Sequence, residues 1–204
     1  MKLRSARQAV HDAYAVHLTG KSNGINQREY WEEGQSKKPD NNQQVCDAVE
    51  AGMVIATVER LEEPYSSWAK WAYGPSTEHS LPEQARFFQW LEQDVMSRLD
   101  AMERNLRQAT RDKVRDVVAY TVLDYRSYSI NERHLYPVNL IIKCCKIHRG
   151  NWKRDFQCWH EYYWNLCDRQ LDRTALIPVA ETLNRLRHGR KTMAEDDQFS
   201  TNGC

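Results

Sequence analysis

Apolar side chains recur three and four positions apart through most of this chain, the spacing that lines one face of an α-helix. The first such stripe is Val45, Val49, Met53 and Ala56, widened by Val54, Val58 and Leu61, and Pro64 ends it. Trp68 and Trp71 then share a face until Gly74 and Pro75 break the chain. Ser80 and Glu83 form a capping box with Pro82 in the first turn, and the helix they open carries Phe87, Phe88, Leu91, Val95, Leu99, Met102 and Leu106. A further stripe, Val114, Val117, Val118, Thr121 and Val122, continues or abuts that rod. No apolar-polar alternation is long enough for a strand and there is no internal repeat, so the expected fold is all-α, a helical bundle.

Ser129 and Glu132 form a second capping box, which predicts that a short helix or turn begins there and accommodates Pro137. Past Pro137, the residues Val138, Ile141, Ile142 and Cys145 predict a short helix with a buried face. Gly150 interrupts, Asn151 is a good N-cap, and Trp152, Phe156, Trp159, Tyr163 and Leu166 resume the stripe. Short helix, turn and second helix make a helix-turn-helix at about residues 137–166. A last helix from Val179 to Arg187 follows Pro178, and the polar, acidic residues 191–204 are expected to be a disordered tail. At the other end, residues 20–45 hold three Gly, one Pro, four Asn and four Gln with almost no apolar periodicity. Such a segment cannot bury enough surface to offset its own ordering entropy. The expected organisation is therefore an irregular N-terminal arm over 1–44, a helical body over 45–190 and the tail. Tyr30 and Trp31 sit side by side in that polar arm and imply that it orders against something, either its own body or a partner.

Charge refines this picture. The 204 residues carry 29 Lys and Arg against 28 Asp and Glu, a net +1, which excludes a uniformly basic coat for an anionic polymer. Locally the balance is uneven: residues 46–99 hold 4 basic and 9 acidic side chains, residues 100–190 hold 17 and 11. From Arg133 to Arg154 there are six cations and no acid. A patch of that kind is the footprint of a phosphate-backbone contact, or of a solvated helix face. No apolar run approaches the roughly 20 residues that span a bilayer, and the first 20 residues lack a secretory h-region. A cytoplasmic location with no membrane partner is expected. Six cysteines at 46, 144, 145, 158, 167 and 204 are too unevenly spread for a disulfide framework and read as reduced thiols.

The candidate chemistry concentrates in residues 137–166. Lys143 and Lys146 fall on the outward side of the first helix, and Lys153, Arg154 and Gln157 lie opposite Trp152, Phe156 and Trp159 on the second. In a helix-turn-helix the start of the second helix enters the major groove, where Arg, Lys, Asn and Gln pair with base edges while neighbouring cations hold phosphates. The candidate DNA-binding residues are Lys143, Lys146, Arg149, Asn151, Lys153, Arg154 and Gln157; an ordinary α-hairpin with a basic face is the alternative. Cys144, Cys145, His148, Cys158, His160 and Cys167 raise a zinc reading, but Cys158 and His160 point about 200° apart on a helix and no CxxC pair exists. No metal and no cofactor are expected. GxSxG, P-loop, GxGxxG and HExxH motifs are missing, and Asp124 has no recognisable catalytic partner, so no catalytic residue is expected and the chain does not read as an enzyme.

Two stretches resemble the Q-type transcription antitermination factors of lambdoid phages, most nearly those of the bacterial Q-like AlpA type. ERLEEPYSSWAKWAY (59–73) looks like the Leu-x(n)-Trp-x-x-Trp element of the smaller members, and LIIKCCKIHRGNWKRDFQCWHEYYWNL (140–166) like their sigma-region-4-like helix-turn-helix. The paired CxxC of the zinc-containing lambda-type members is missing, so zinc is not implied. The resemblance implies a factor that binds a double-stranded DNA element near a promoter and loads onto bacterial RNA polymerase, with or without its sigma factor. Its N-terminal segment would narrow the RNA exit channel, so that the nascent RNA passes but a terminator hairpin cannot form. Lys2, Arg4, Arg7, Lys21 and Arg28 would then face RNA or polymerase, with Tyr30 and Trp31 as anchors. A promoter-binding activator or repressor with the same helix-turn-helix and no antitermination activity is the alternative.

Overall fold

The computed structural model describes the backbone of residues 3–19, 41–75, 80–102 and 106–201, and the side chains of 4–15, 47–75, 80–102 and 106–188. Among these residues the chain is all-α, with no strand. It forms two compact units, one from Met1–Ser80 with Thr174–Cys204 and one from Leu81–Arg173.

The first unit holds α1 (Leu3–Thr19), α2 (Asn41–Glu59), α3 (Tyr65–Tyr73) and nearly all of α9 (Asp172–Thr201). Helix α1 corrects the expectation of an irregular arm from residue 1. Ala6, Val10 and Ala13, at helical spacing, are 3% exposed or less, so small side chains let α1 pack closely on its neighbours although the stripe is too weakly apolar to stand out in sequence. Helix α2 packs against both α1 and α3. The face that α2 buries is Val54 and Val58, whereas Val49 and Met53 of the expected stripe are 56% and 40% exposed. Trp68 and Trp71 are buried in α3 and meet edge-to-face with centroids 5.7 Å apart, a packing favourable for two ring quadrupoles. The tryptophan element is thus the core of this unit. Lys70 on α3 pairs with Glu59 on α2 at 2.7 Å, and the Thr57 and Thr182 hydroxyls are 3.2 Å apart, tying α2 to α9. Helix α9 starts before Pro178 and runs to Thr201, so its backbone is helical where the sequence predicts a tail without regular structure.

The second unit begins with α4 (Leu81–Asp100) and α5 (Gln108–Asn131). The stripes Phe87, Leu91, Val95, Leu99 and Val114, Val117, Val118, Thr121, Val122 are buried, whereas Phe88 of the expected stripe is half-buried and Met102 and Leu106 lie past the end of α4, Met102 being 40% exposed. The predicted capping box at Ser129 is instead the end of α5: Glu132 sits in the left-handed region at φ 56° and its N–H donates to the Tyr128 carbonyl at 2.9 Å. Then come α6 (Val138–Cys144), α7 (Arg149–Asn151), a π-helical turn π1 (Trp152–Phe156), α8 (Gln157–Leu166) and a second π-helical turn π2 (Cys167–Leu171) that leads into α9. The expected order of short helix, turn and second helix is present. Trp152, Phe156, Trp159, Tyr163 and Leu166 are all under 9% exposed.

Candidate nucleic-acid interface

The turn after α6 is built by the backbone. Lys146 N–H donates to the Lys143 carbonyl at 3.2 Å and Ile147 N–H to the Ile142 carbonyl at 2.9 Å, with Lys146 at φ 49°. These are the two bonds of a Schellman motif, in which the left-handed residue after the helix cap is usually glycine. Ile147, 7% exposed, anchors the far side of the turn. Of the apolar positions expected to be buried in α6, Ile141 and Cys145 are, while Val138 is 36% exposed and Ile142 half-buried, because a helix this short buries only about two turns' worth of one face. The next helix starts two residues before the expected cap. His148 is the N-cap, its Nδ1 accepting from Gly150 N–H at 3.3 Å, so Asn151 lies inside the helix and Gly150 in its first turn.

The structure brings the seven candidate DNA-binding residues onto this turn and the start of the second helix. Lys143, Lys146, Arg149 and Lys153 are exposed, and none of these four has a carboxylate at ion-pair distance among the described residues. Arg154 is held in place: its Nε and one terminal nitrogen bond both carboxylate oxygens of Asp155 at 2.8–3.1 Å, and the same nitrogen reaches Asn151 Oδ1 at 3.2 Å. Gln157 donates to Glu161 at 2.6 Å. Lys153 and Arg154 lie on π1, where Gln157 N–H reaches back five residues to the Trp152 carbonyl. Such π-turns recur at functional sites.

Two cations missed in the sequence join the patch from α5. Arg107 and Lys113 line a cleft of about 430 Å³ whose other wall includes His148, Asn151 and Arg154. Lys113 Nζ donates to the Lys146 carbonyl at 2.9 Å, which places its ammonium on the turn itself. Nothing in local spacing marks these two, since they lie more than 30 residues from the turn.

Two carboxylates of this unit, Asp124 and Asp172, are buried. Asp124, 1% exposed, accepts from Tyr136 N–H at 2.7 Å and lies 2.8 Å from His134 Nδ1, latching residues 132–137 onto α5. Asp124 therefore does have a partner, contrary to the sequence reading, yet the cleft beside it, lined by His134, His160, Glu161 and Trp164 among others, contains no Ser, Thr or Cys nucleophile. Tyr125 hydroxyl donates to buried Asp172 at 2.7 Å, and Tyr163 hydroxyl to Asp94 at 2.7 Å. Burial and the Asp94 carboxylate push the Tyr163 phenol up, and burial lowers His160 from its ordinary value, with His134 acting in the same direction and Asp124 and Glu161 against it. Burial also pushes the Cys145 thiol up to about 12, consistent with a packing role. The four described cysteines are free thiols, and among the described residues no three His, Cys, Asp or Glu side chains are arranged to hold a metal ion.

Of the arm cations, Arg4 is exposed on α1 and Arg7 is half-buried with its guanidinium over the Tyr73 ring at 5.5 Å. Lys2, Lys21, Arg28, Tyr30 and Trp31 lie outside the described residues. Among the described residues no helix is long and apolar enough to cross a membrane.

No curated protein and no solved structure matches the chain. The family model described as phage antitermination protein Q matches residues 48–197, a span that contains the tryptophan element and the whole of the basic turn. The chain belongs to the phage antitermination protein Q family, and so to a family of transcription antitermination regulators rather than of enzymes.

Proposed function

We propose that the chain binds a double-stranded DNA element near a promoter through α6, the Lys146 turn and the start of the second helix. From there it loads onto bacterial RNA polymerase and narrows the RNA exit channel. The observation that carries the DNA step is the set of exposed cations without carboxylate partners at the turn, within the family-matched span. Lys143, Lys146 and Arg149 suit phosphate contacts, and the Arg154 guanidinium, oriented by Asp155 and Asn151, suits a base edge. The resemblance of residues 59–73 and 140–166 supports placing the chain with the AlpA-type members. For the exit channel, the supporting logic is steric: a hairpin duplex is wider than the single strand that must pass, so a narrow lining blocks one and not the other. Residues 1–44, with Lys2, Arg4, Arg7, Lys21, Arg28, Tyr30 and Trp31, are proposed for that lining, with the nascent RNA and polymerase as their partners.

Single-round transcription on a template with the chain's own upstream region and an intrinsic terminator tests the reading. Terminator readthrough that requires both the upstream DNA and residues 20–40 is the expected result. Removing only 20–40 leaves α1, which is part of the first unit's core. Altered initiation with unchanged readthrough would replace this mechanism with that of a promoter-binding regulator.

A further inference from the structure

We infer that the start of α5 forms a second, sequence-independent seat for the DNA backbone beside the turn, with Arg107 and Lys113 as its phosphate ligands; this rests on the duplex-binding reading above. The cations at the N-cap and in the first two turns of α5 divide into two sets. Arg111 pairs with Asp100, and Arg115 with Glu92 and Asp112, so those charges are matched within the unit. Arg107 and Lys113 have no carboxylate partner among the described residues, and both line the cleft against His148, Asn151 and Arg154. The carboxylate in the cleft wall, Asp155, is engaged by the Arg154 guanidinium and does not cancel them. Lys113 is also fixed: one ammonium hydrogen is committed to the Lys146 carbonyl, which leaves two for an anion and aims them from the turn.

The position decides the occupant. When the first residues of the second helix enter the major groove, the elements flanking the turn lie over the strands that border the groove. A cleft of about 430 Å³ with cationic rims on that flank fits a run of phosphates rather than a base edge. The α5 seat therefore contributes affinity and register, while discrimination stays with the second helix.

The test is anisotropy of labelled DNA with the full-length chain across a salt series, on the chain's own upstream duplex and on a random duplex of equal length. Each phosphate contact contributes about 0.9 to the slope of log K against log salt. Arg107→Ala with Lys113→Gln is expected to flatten the slope by about 1.8 on both duplexes alike, and Arg107→Lys with Lys113→Arg to restore it. Because Lys113 also bonds the turn, Arg107→Ala alone, at an exposed position, is the variant that isolates charge from folding, with half the flattening. A slope equal to wild type, a loss confined to the upstream duplex, or a loss seen on single-stranded RNA instead overturns the seat. Lys143→Ala with Lys146→Ala separates the two ideas: weakened duplex binding there, with none at Arg107 and Lys113, leaves the helix-turn-helix reading standing without the α5 seat. Wild-type protein that binds no duplex removes both.

Discussion

In the second unit the buried carboxylates Asp124 and Asp172 meet a histidine, a backbone N–H or a tyrosine hydroxyl, whereas around the turn Lys143, Lys146, Arg149 and Lys153 are exposed and have no carboxylate at ion-pair distance among the described residues. The two regions treat charge in opposite ways. Hydrogen bonds offset part of the desolvation of the buried carboxylates, while the turn keeps its positive charge because the stretch from Arg133 to Arg154 contains no acid. A near-neutral chain thereby presents a local patch that can draw in an anionic polymer.

The interior side of this comparison is where stability resides. Tyr163→Ala removes a fully buried ring and its bond to Asp94, and urea unfolding is expected to show a loss of about 4 kcal/mol. Asp124→Ala leaves Tyr136 N–H and His134 without their acceptor; about 2–3 kcal/mol is expected by the same measurement. The His134 ring also stacks on Tyr128 at 4.8 Å and lies 5.5 Å from Trp164, so a loss under about 1 kcal/mol would mean that residues 132–137 are held by these rings rather than by the carboxylate.

The turn supplies a prediction of opposite sign. Lys146 occupies a left-handed position at φ 49°, which costs a side-chain-bearing residue about 1–2 kcal/mol, partly offset because glycine loses more entropy on folding. Lys146→Gly is expected to raise stability by about 0.5–1 kcal/mol while weakening duplex binding. Stability and binding moving together would show that Lys146 acts through the fold and not through its charge.

The smallest effect is a pH dependence. Burial lowers His160 from an ordinary value near 6.5, so the folded state favours the neutral ring. The stability tied to that ring is fully present above pH 6.5 and is lost as the pH falls through the depressed value. His160→Gln is expected to flatten the decline in thermal midpoint between pH 7 and pH 5. An unchanged profile would assign the decline to other groups.

Much of the second unit was legible from spacing alone. Phe87, Leu91, Val95 and Leu99, then Val114 to Val122, and then Trp152 to Leu166 are strongly apolar at helical intervals. Burying any other face would leave large side chains in water at roughly 25 cal/mol per Å². The α2 stripe was not legible in this way. Val49 and Met53 compete with Val54 and Val58 on a helix with little contrast between faces, and α1, which packs on it, gives only a faint signal through Ala6, Val10 and Ala13. Helix boundaries near the site failed for a related reason: Ser129 with Glu132 and Asn151 are capable caps, but the bonds that close α5 and open the second helix come from Glu132 N–H and His148.

The sequence by itself determined an all-α chain, the tryptophan element, and an acid-free basic run between two apolar helical stripes, because each depends on interactions within a few turns of helix. Only the tertiary structure decided which acids are withdrawn inward, that Arg154 is paired with Asp155, and that Arg107 and Lys113 reach the turn from more than 30 residues away. Electrostatic neighbourhood is set by distance through space, and folding brings together charges that no sequence interval connects.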